Sequence, residues 1–349
     1  MTLLILILIL GLLIFVHELG HFIFAKLYKV YVHEFALGMG PKIFSFKRKN
    51  KKDPTVYSLR LFPIGGFCAM AGEVEEDAKG VKNSEFMCNK TKFQRFMILI
   101  SGVMFNFLLA LLLLFLQSMI WGHTEQKSIV GYAPKEYPVA KAGIEVGDKI
   151  IELNGHSINS WDKLTIALNL KHEKDVYKFV VKKQDGSIKT YDITPVKEKN
   201  ADGKEINVFG IGVGDNIYRG FFESLNYAFF KLYSIITSMV IIIGALFTGS
   251  LGISSLAGPV GMYAIVDDSA KYGIQSLMYL TAYLSVNLGF INAIPFPAFD
   301  GGRILFIIIE AITKKKVNTT VEGILHTIGF MLLMLLMVYI TIMDIIKLF

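Results

Sequence analysis

Apolar residues are concentrated in five long runs, and each run is close to the length that crosses a bilayer. The runs cover about residues 2–27, 96–121, 228–247, 277–294 and 325–346. A helix needs about 20 mainly apolar residues to cross the hydrocarbon core of a membrane. The pattern therefore predicts a polytopic α-helical membrane protein.

The first run has an alternative interpretation as a secretory signal peptide. It lacks a basic segment before the apolar stretch and an Ala-x-Ala-like cleavage site, and it resumes as Phe22-Ile23-Phe24-Ala25 after a polar interruption. Signal peptides have both of the missing features and a shorter apolar region. A retained transmembrane helix is therefore the better interpretation.

Two segments between the runs have the period of two that is typical of strands. Residues 55–61 alternate between apolar and polar side chains. Farther along the chain, a strand-like run ends at the turn signal Asn154-Gly155. Further strands are predicted at residues 177–182 and 189–194. The chain is thus expected to carry some β-structure outside the apolar helices.

Composition supports a membrane protein and excludes some other classes. The 349 residues are 53% hydrophobic and 19% charged, whereas soluble domains average about 45–50% apolar and about 25% charged. No basic stripe is interleaved with aromatic residues, so nucleic acid is not expected as a partner. Cys68 and Cys88 are the two cysteines, which are too few for a disulfide scaffold and are interpreted as incidental thiols.

The distribution of Lys and Arg predicts the orientation in the membrane. Twelve of them lie between residues 26 and 95, namely Lys29, Lys42, Lys47, Arg48, Lys49, Lys51, Lys52, Arg60, Lys79, Lys82, Lys90 and Lys92. Cytoplasmic loops carry such an excess, so this loop is expected inside and the N-terminus outside. Residues from about 122 to 224 are then external, and Arg303 and Lys314-Lys315-Lys316 mark a second cytoplasmic stretch.

Parity limits the number of spans. Between the external segment and Lys314 the chain must cross an odd number of times, so residues 228–247 and 277–294 cannot both be ordinary spans. We expect 277–294 to cross and 228–247 to be interfacial, re-entrant or packed against the bundle. About four transmembrane helices are therefore predicted.

The first apolar run contains the sequence His17-Glu18-Leu19-Gly20-His21. Histidines four residues apart lie on one face of a helix and can bind one metal ion, and the adjacent glutamate can take a proton from water. Zinc lowers the pKa of a bound water to about 7. The pattern predicts a zinc site with His17 and His21 as ligands and Glu18 as general base.

Coincidence, or histidines satisfied by neighbouring groups, is the alternative explanation of this pattern. Each ionisable group at membrane depth costs at least about 2.5–3.5 kcal/mol and is by default functional, which disfavours that explanation. Six residues separate His21 from Leu27, a rise of about 10 Å. The site is thus expected within the bilayer, nearer the cytoplasmic face.

Catalytic zinc commonly has three protein ligands and one position for water. Asp300 is the candidate for the third ligand, in a segment that runs from Asn292 through Pro295 and Pro297 to Arg303. The prolines break a helix there and leave backbone groups free for a substrate or the metal environment. The alternative is a turn at the membrane interface in which Asp300 caps a helix over residues 304–312. Composition alone leaves both open.

HELGH followed by Asn-x-x-Pro-x-Pro-x-x-Asp-Gly-Gly near residue 300 resembles the site-2 protease family of intramembrane zinc metalloproteases, in its bacterial RseP branch with a single PDZ domain. The resemblance covers nearly the whole chain, with Phe299 in place of the family's usual leucine before the aspartate. It implies Zn²⁺ held by His17, His21 and Asp300, with Glu18 as the catalytic base.

The same resemblance implies which residues bind the substrate. These are Asn292, Pro295 and Pro297, the Gly65-Gly66 pair, and Asn106. Asn106 matches a Gly-x-x-x-Asn motif in the second span, although Val103 stands where a proline often follows the glycine. The alternative for Asn106 is a polar contact between helices, with Gly102 allowing close approach.

Two segments outside the spans also resemble parts of that branch. Residues 32–73 resemble a membrane-associated β-sheet whose exposed edge can pair with an unwound substrate. Pro138 to Gly155 resembles the core of a PDZ domain, which in the family is thought to exclude substrates whose outer portion has not been trimmed; a spacer domain is the alternative. His33-Glu34 lacks a second histidine at metal-binding spacing and is interpreted as a surface pair.

The expected organisation follows from these assignments. It comprises a first span (1–28), a cytoplasmic loop with the β-sheet (29–92), a second span (93–122), a PDZ domain (126–198), membrane-associated helices (199–275), a third span with the aspartate motif (276–313) and a fourth span (322–348). The fold class is a polytopic α-helical membrane protein with a cytoplasmic β-sheet and one extracytoplasmic mixed α/β domain.

The expected function is intramembrane cleavage of single-span membrane proteins, either anti-sigma factors or remnant signal peptides, in a bacterial cytoplasmic membrane. Two other classes of function are compatible with part of the sequence. A transporter or proton channel would use buried His and Glu as a relay, but it does not predict the HExxH spacing. A scaffold would use the PDZ domain to recruit partners and would retain the metal motif only as a vestige.

Overall fold

A computed structural model describes residues 1–47, 55–72, 80–170, 176–199, 205–315, 317 and 319–347. The basic residues Arg48, Lys49, Lys51, Lys52, Lys79 and Lys316 lie outside the described residues, as does Glu73 at the end of the segment expected to form the β-sheet. The chain divides into two units, residues 1–113 with 256–349 and residues 114–255. We describe each unit by itself.

The described residues form helices and strands with the following bounds. The helices are α1 (Thr2–Leu27), α2 (Lys92–Trp121), α3 (Pro138–Lys141), α4 (Trp161–Asn169), α5 (Phe221–Thr248), α6 (Pro259–Lys271), α7 (Ile274–Ala293), α8 (Asp300–Thr313) and α9 (Thr319–Ile346). The strands are β1 (Val32–Lys47), β2 (Val56–Met70), β3 (Lys149–Leu153), β4 (His156–Ser157), β5 (Tyr177–Lys182), β6 (Ile188–Ile193), β7 (Val196–Lys199) and β8 (Glu205–Val208).

Five of these helices, α1, α2, α5, α7 and α9, are long and apolar enough to cross a membrane. All five apolar runs are therefore helices, as predicted, and the chain is a multi-pass membrane protein. By length and composition the described chain has one candidate span more than the four predicted. The extra candidate is α5, for which the sequence analysis left three placements open.

Two apolar clusters hold the first unit together. One joins the end of α1 to β1, β2, α2 and α8 through Ala25, Val32, Ile98 and Ile307. The other joins the start of α1 to α6 and α7. The two ends of α1 thus pack on different neighbours, and the middle of the helix carries the site described below.

Polar contacts show which helix ends of this unit lie close together, and they define two sets of ends. In the first set, Thr2 Oγ1 donates to Asp267 of α6 at 2.7 Å. The Asp344 carboxylate, near the end of α9, accepts the backbone N–H groups of Gly258 and Gly261 at 2.7 and 2.8 Å. The start of α1, the end of α9 and α6 therefore lie together.

At the other set, the start of α2 meets the end of α8. Arg95 forms a 2.7 Å ion pair with buried Glu310, and Lys92 Nζ donates to the Glu310 carbonyl at 2.7 Å. Because α1 and α9 each contribute an end to the first set, both helices have their remaining ends on the side opposite α6.

Strands β1 and β2 form one curled hairpin rather than a flat ladder. Residues 34–37 pair with 66–69 and also with 56–59, and 56–59 pair in turn with 44–47. Residues 66–69 thus form one edge of the hairpin, beside residues 34–37. The predicted strand near residues 55–61 is therefore present, but it extends to Met70 and includes the Gly65-Gly66 pair.

Glu34 is the polar centre of this hairpin, which corrects its interpretation as a surface pair with His33. Its mostly buried carboxylate accepts from Ser58 and forms ion pairs with Lys42 at 3.0 Å and Arg60 at 2.9 Å. Burial alone would raise the pKa of Glu34, but the hydrogen bonds from Ser58, Lys42 and Arg60 hold the pKa below its usual value. The charged carboxylate thus stabilises the fold of the hairpin.

The second unit contains a four-stranded antiparallel sheet in the order β4-β3-β5-β6. Alternate residues of β5 point into its core, so Tyr177, Phe179 and Val181 are buried with Leu164 of α4. The turn at Asn154-Gly155 joins β3 to β4 as predicted, with both residues at positive φ. Strands predicted at 177–182 and 189–194 are present as β5 and β6.

Helix α5 packs on this small domain with its polar side. Lys231 Nζ lies 2.6 Å from Oδ1 of Asp162 on α4, and Ser234 donates to the other oxygen of that carboxylate at 2.7 Å. The opposite side of α5 exposes Phe222, Phe229, Tyr233, Val240 and Phe247. Their spacing of seven, four, seven and seven residues places them on one face of the helix.

Candidate metal centre

Three potential ligands from α1 and α8 meet in the first unit. His17 and His21 lie one turn apart on the buried face of α1, with their Nε2 atoms 3.2 Å apart. The Oδ2 atom of Asp300 lies 3.0 Å from His17 Nε2 and 3.2 Å from His21 Nε2. Within the described chain this is the one group of three metal-ligating side chains that converges.

The loop before α8 delivers Asp300 to this point. Helix α7 ends at Ala293 because Pro295 follows, and the backbone turns through Ala298 at φ 89°. Phe299 is the N-cap and Asp300 the first residue inside α8. The alternative in which Asp300 caps a helix over 304–312 is therefore not observed; its carboxylate faces the histidines.

Neighbouring groups orient both imidazoles from the opposite ring nitrogen. His21 Nδ1–H donates to the Ile98 carbonyl at 2.8 Å, which leaves the lone pair of Nε2 free for a metal. The amide of Asn106 lies 3.1 Å from His17 Nδ1. Asn106 Oδ1 is buried without a hydrogen-bond partner, and exchanging the amide N and O would let Oδ1 accept the Nδ1–H of His17. Metal-binding histidines almost always have such a partner.

The donor set fits a zinc ion. Zinc binds imidazole nitrogen at about 2.0–2.1 Å in tetrahedral geometry, so two ligand atoms should be about 3.3 Å apart. The three observed separations lie between 3.0 and 3.2 Å. Two neutral imidazoles and one carboxylate are a common donor set for catalytic zinc, which keeps its fourth position for water.

Two glycines let α2 approach α1 closely enough to close the site. A Cβ atom on Gly20 would lie 2.5 Å from the Ser101 carbonyl oxygen. A Cβ atom on Gly102 would lie 2.5 Å from His21 Nε2 and 2.8 Å from His17 Cε1. Gly102 therefore supports the imidazole pair directly, a role that the sequence analysis assigned only to helix packing.

A cavity of about 250 Å³ opens beside the three ligands. Its lining is the set His17, Glu18, His21, Phe67, Cys68, Met70, Leu99, Ala298, Phe299, Asp300, Arg303 and His326. Glu18 thus faces the same space as the ligands, as its proposed use as a base requires. Phe67, Cys68 and Met70 place the edge of β2 along one wall.

The residues predicted to bind substrate have different positions around this cavity. A Cβ atom on Gly66 would lie 3.4 Å from Glu18 Cγ, so the β2 backbone passes next to the base. Gly65 has a φ of +91° and packs on Met39. Asn292, Pro295 and Pro297 are not in the described lining; substrate contact by these residues stays a prediction.

Asn106 lies beside a candidate metal ligand. Its side chain is fully buried and contacts His17 rather than the cavity. This is a polar contact between α1 and α2, as the alternative interpretation of Asn106 expected. Substrate contact by Asn106 stays a prediction.

His326 and Arg303 also line the cavity, and neither was singled out from the sequence. His326 lies on α9, inside the last apolar run. An ionisable residue in an apolar span is by default a functional candidate, so the signal for His326 was present in the sequence.

Comparison with known proteins identifies the family to which these features belong. The model of peptidase family M50 matches residues 5–336. A putative zinc metalloprotease of Fusobacterium nucleatum is 36% identical, with all of both chains covered. Zinc metalloprotease RasP of Bacillus licheniformis is 32% identical over 98% of each chain. Regulator of sigma-W protease RasP of Bacillus subtilis is 31% identical over 98% of each chain.

Gly102→Ala is expected to lower both the zinc content and the activity of the purified protein. Alanine favours a helix over glycine by about 1 kcal/mol, so the loss would come from the Cβ atom that meets both imidazoles. Zinc per chain, measured by atomic absorption, checks the prediction. Gly11→Ala on α1 is the matched control, since nothing lies within 4 Å of its added Cβ. Full zinc occupancy in Gly102→Ala would contradict the close packing described here.

Proposed function

The chain belongs to peptidase family M50, and we propose that this membrane-embedded zinc metalloprotease cuts transmembrane segments at a centre formed by His17, His21 and Asp300. The observation that carries the proposal is the convergence of these three side chains between apolar helices, within 3.2 Å of one another. Family membership supports peptide hydrolysis over a transporter or a scaffold with a vestigial motif.

Glu18 is the residue placed to move protons. When bound, zinc would polarise the scissile carbonyl and make water more acidic. The Glu18 carboxylate accepts one proton from the attacking water and then returns it to the leaving amide nitrogen. His21 is held by Ile98 and His17 by Asn106, so both imidazoles keep their orientation during the reaction.

Glu18→Gln is expected to lower cleavage at least about 100-fold while zinc stays bound, because general bases contribute about 10²–10⁴-fold. Asp300→Asn is expected to lower zinc content as well as activity. Cleavage of a single-span substrate in proteoliposomes and zinc per chain are the two measurements. Glu205→Gln, on exposed β8, is the matched control. Wild-type cleavage by Glu18→Gln would refute the protease proposal.

The substrate has to be extended before it can be cut, since a helix hides its peptide bonds within its own hydrogen bonds. Residues 66–69 pair with residues 34–37 and form one edge of the hairpin. Phe67, Cys68 and Met70 bring that edge to the wall of the catalytic cavity. The edge is therefore placed to hold an unwound segment by strand addition, next to Glu18.

Cys68 provides a direct test of strand addition. In a Cys88→Ser, Glu18→Gln protein, Cys68 is the single remaining cysteine, and it can be oxidised to a disulfide with single cysteines placed along a trapped substrate. An extended substrate is expected to cross-link at every second position, because side chains alternate along a strand. A spacing of three to four residues would indicate a bound helix and would contradict pairing with β2.

The contacts between helix ends support the orientation in the membrane that was inferred from the distribution of Lys and Arg. Arg95 and Glu310 lie at the ends that the basic loop and Lys314 assign to the cytoplasm. The start of α1 and the end of α9 meet α6 on the other side. We place α1, α2, α7 with α8, and α9 as the four crossings, with both termini and α6 outside.

Helix α5 is placed along the outer surface of the membrane rather than across it. Its Lys231 pairs with a folded domain whose surface is charged, so residues near Lys231 cannot lie in hydrocarbon. The ten residues after Ser238 rise about 15 Å, which is half of the thickness of about 30 Å to be crossed. The exposed Phe222, Phe229 and Phe247 would instead rest on lipid.

This arrangement supports a gate outside the membrane. Residues 126–198, with the four-stranded sheet and α4, are placed as an external PDZ domain that is anchored by α5. A substrate with a bulky folded part on that side would be excluded by size. Substrates would then be membrane proteins already trimmed outside, such as anti-sigma factors, or signal peptides left after secretion. The name of the Bacillus subtilis relative, regulator of sigma-W protease, supports the first class for that protein.

A folded cargo fused to the external end of the substrate is expected to block cleavage, whereas the same cargo on the cytoplasmic end is tolerated. Lys231→Ala should restore cleavage of the externally loaded substrate several-fold. The substitution removes the ion pair with Asp162 that anchors the domain to α5. Lys189→Ala, on the same domain, is the control. Equal cleavage of the two fusions by the wild-type protein would overturn the external gate.

A further inference from the structure

His326 reaches the catalytic cavity from the last helix. It lies in the second turn of α9 and lines the cavity with Glu18, Asp300 and Arg303. None of the steps derived above uses it. A histidine inside an apolar span is costly and is by default functional, so its position beside the reacting groups needs a chemical account.

One hydrogen bond fixes the tautomer of this imidazole. The backbone N–H of Ala298 donates to His326 Nδ1 at 3.0 Å. An Nδ1 atom that accepts carries a lone pair, so in the neutral ring the proton resides on Nε2. His326 is therefore a donor at Nε2, and an Nε2–H group cannot also bind a metal.

The Nε2 atom of His326 is buried and has no hydrogen-bond partner among the described residues. A buried donor without an acceptor is costly, and such groups in native structures often serve catalysis. The helix that carries His326 also packs closely on the loop before α8. A Cβ atom on Gly329, one turn farther along α9, would lie 2.4 Å from the Pro297 carbonyl oxygen, so α9 packs directly on the loop that carries Ala298.

We propose that the Nε2–H group of His326 donates a hydrogen bond to the oxygen of the scissile carbonyl as that oxygen becomes negative. This role rests on the proposed protease function. Water oxygen forms the new bond to the carbonyl carbon, the π electron pair moves onto the carbonyl oxygen, and Glu18 holds the proton from water. His326 keeps its own proton throughout and stabilises the developing charge by a preorganised donor.

Two amide substitutions separate this role from support of the loop. The amide oxygen of His326→Asn can take the place of Nδ1 and accept from Ala298, but the shorter side chain has no donor at the position of Nε2. His326→Gln places an amide N–H near the position of Nε2. A catalytic donor and a loop support therefore predict opposite orders of activity for the two variants.

His326→Asn is expected to lower kcat about 10²–10³-fold, as for loss of one oxyanion donor, with unchanged KM and zinc content. His326→Gln is expected to recover at least about tenfold of that loss. A tetrahedral phosphinate peptide should lose affinity for His326→Asn in parallel with kcat, because it mimics the charged oxygen. His156→Asn, on exposed β4, is the matched control.

The proposal is overturned if His326→Asn keeps wild-type kcat, loses zinc, or binds the phosphinate as the wild-type protein does. It is also overturned if His326→Gln is no better than His326→Asn. Unfolding temperature in detergent is measured for every variant. The Glu18→Gln protein separates the two claims. Wild-type cleavage by that variant refutes the proposed protease centre, whereas loss of cleavage in Glu18→Gln together with wild-type kcat in His326→Asn refutes the role of His326 alone.

Discussion

The need to stabilise ionisable groups at membrane depth constrains the first unit of this protein. Two imidazoles and two carboxylates lie between apolar helices, where lipid offers them no hydrogen bonds. The structure gives each imidazole a hydrogen-bond partner at Nδ1 and directs both Nε2 atoms and the Asp300 carboxylate toward one point. Asp300 faces His17 and His21, and Ile98 accepts from His21. A zinc ion held between these side chains would add positive charge beside the carboxylate.

Close backbone approach is the second condition, and glycine meets it repeatedly. Gly20 and Gly102 bring α2 against α1, and Gly301 and Gly302 let the start of α8 fold back on the proline loop. Gly329 does the same for α9. In a membrane the hydrophobic effect does not drive helices together, so contact area and packing between small residues determine which helices associate. The catalytic geometry therefore depends on residues without side chains.

Much of this organisation could be predicted from the sequence, because local signals carried it. The two histidines of HELGH are four residues apart, and this spacing by itself predicts that they share one face of a helix. The apolar runs, which were confirmed as helices, are recognised from their length and composition. Asp300 was a candidate third ligand because prolines and a family motif marked it, and the structure places it beside both histidines. The contact of Asn106 with His17 and the position of His326 in the cavity wall depend on which helix faces which, so the sequence alone could not specify them. Residues 34–37 pair both with 56–59 and with 66–69 because the hairpin curls. The alternation of apolar and polar residues predicts a strand but not which strands pair with it.

The two ends of the chain meet in one centre, and this has a consequence for biosynthesis. Ribosomes add roughly 5–20 residues per second, so tens of seconds separate the emergence of His21 from that of Asp300. His326 emerges later still, in the last helix. Until Asp300 emerges, the nascent chain holds His17, Glu18 and His21 without it. The three side chains of the candidate metal centre can therefore converge only late in synthesis.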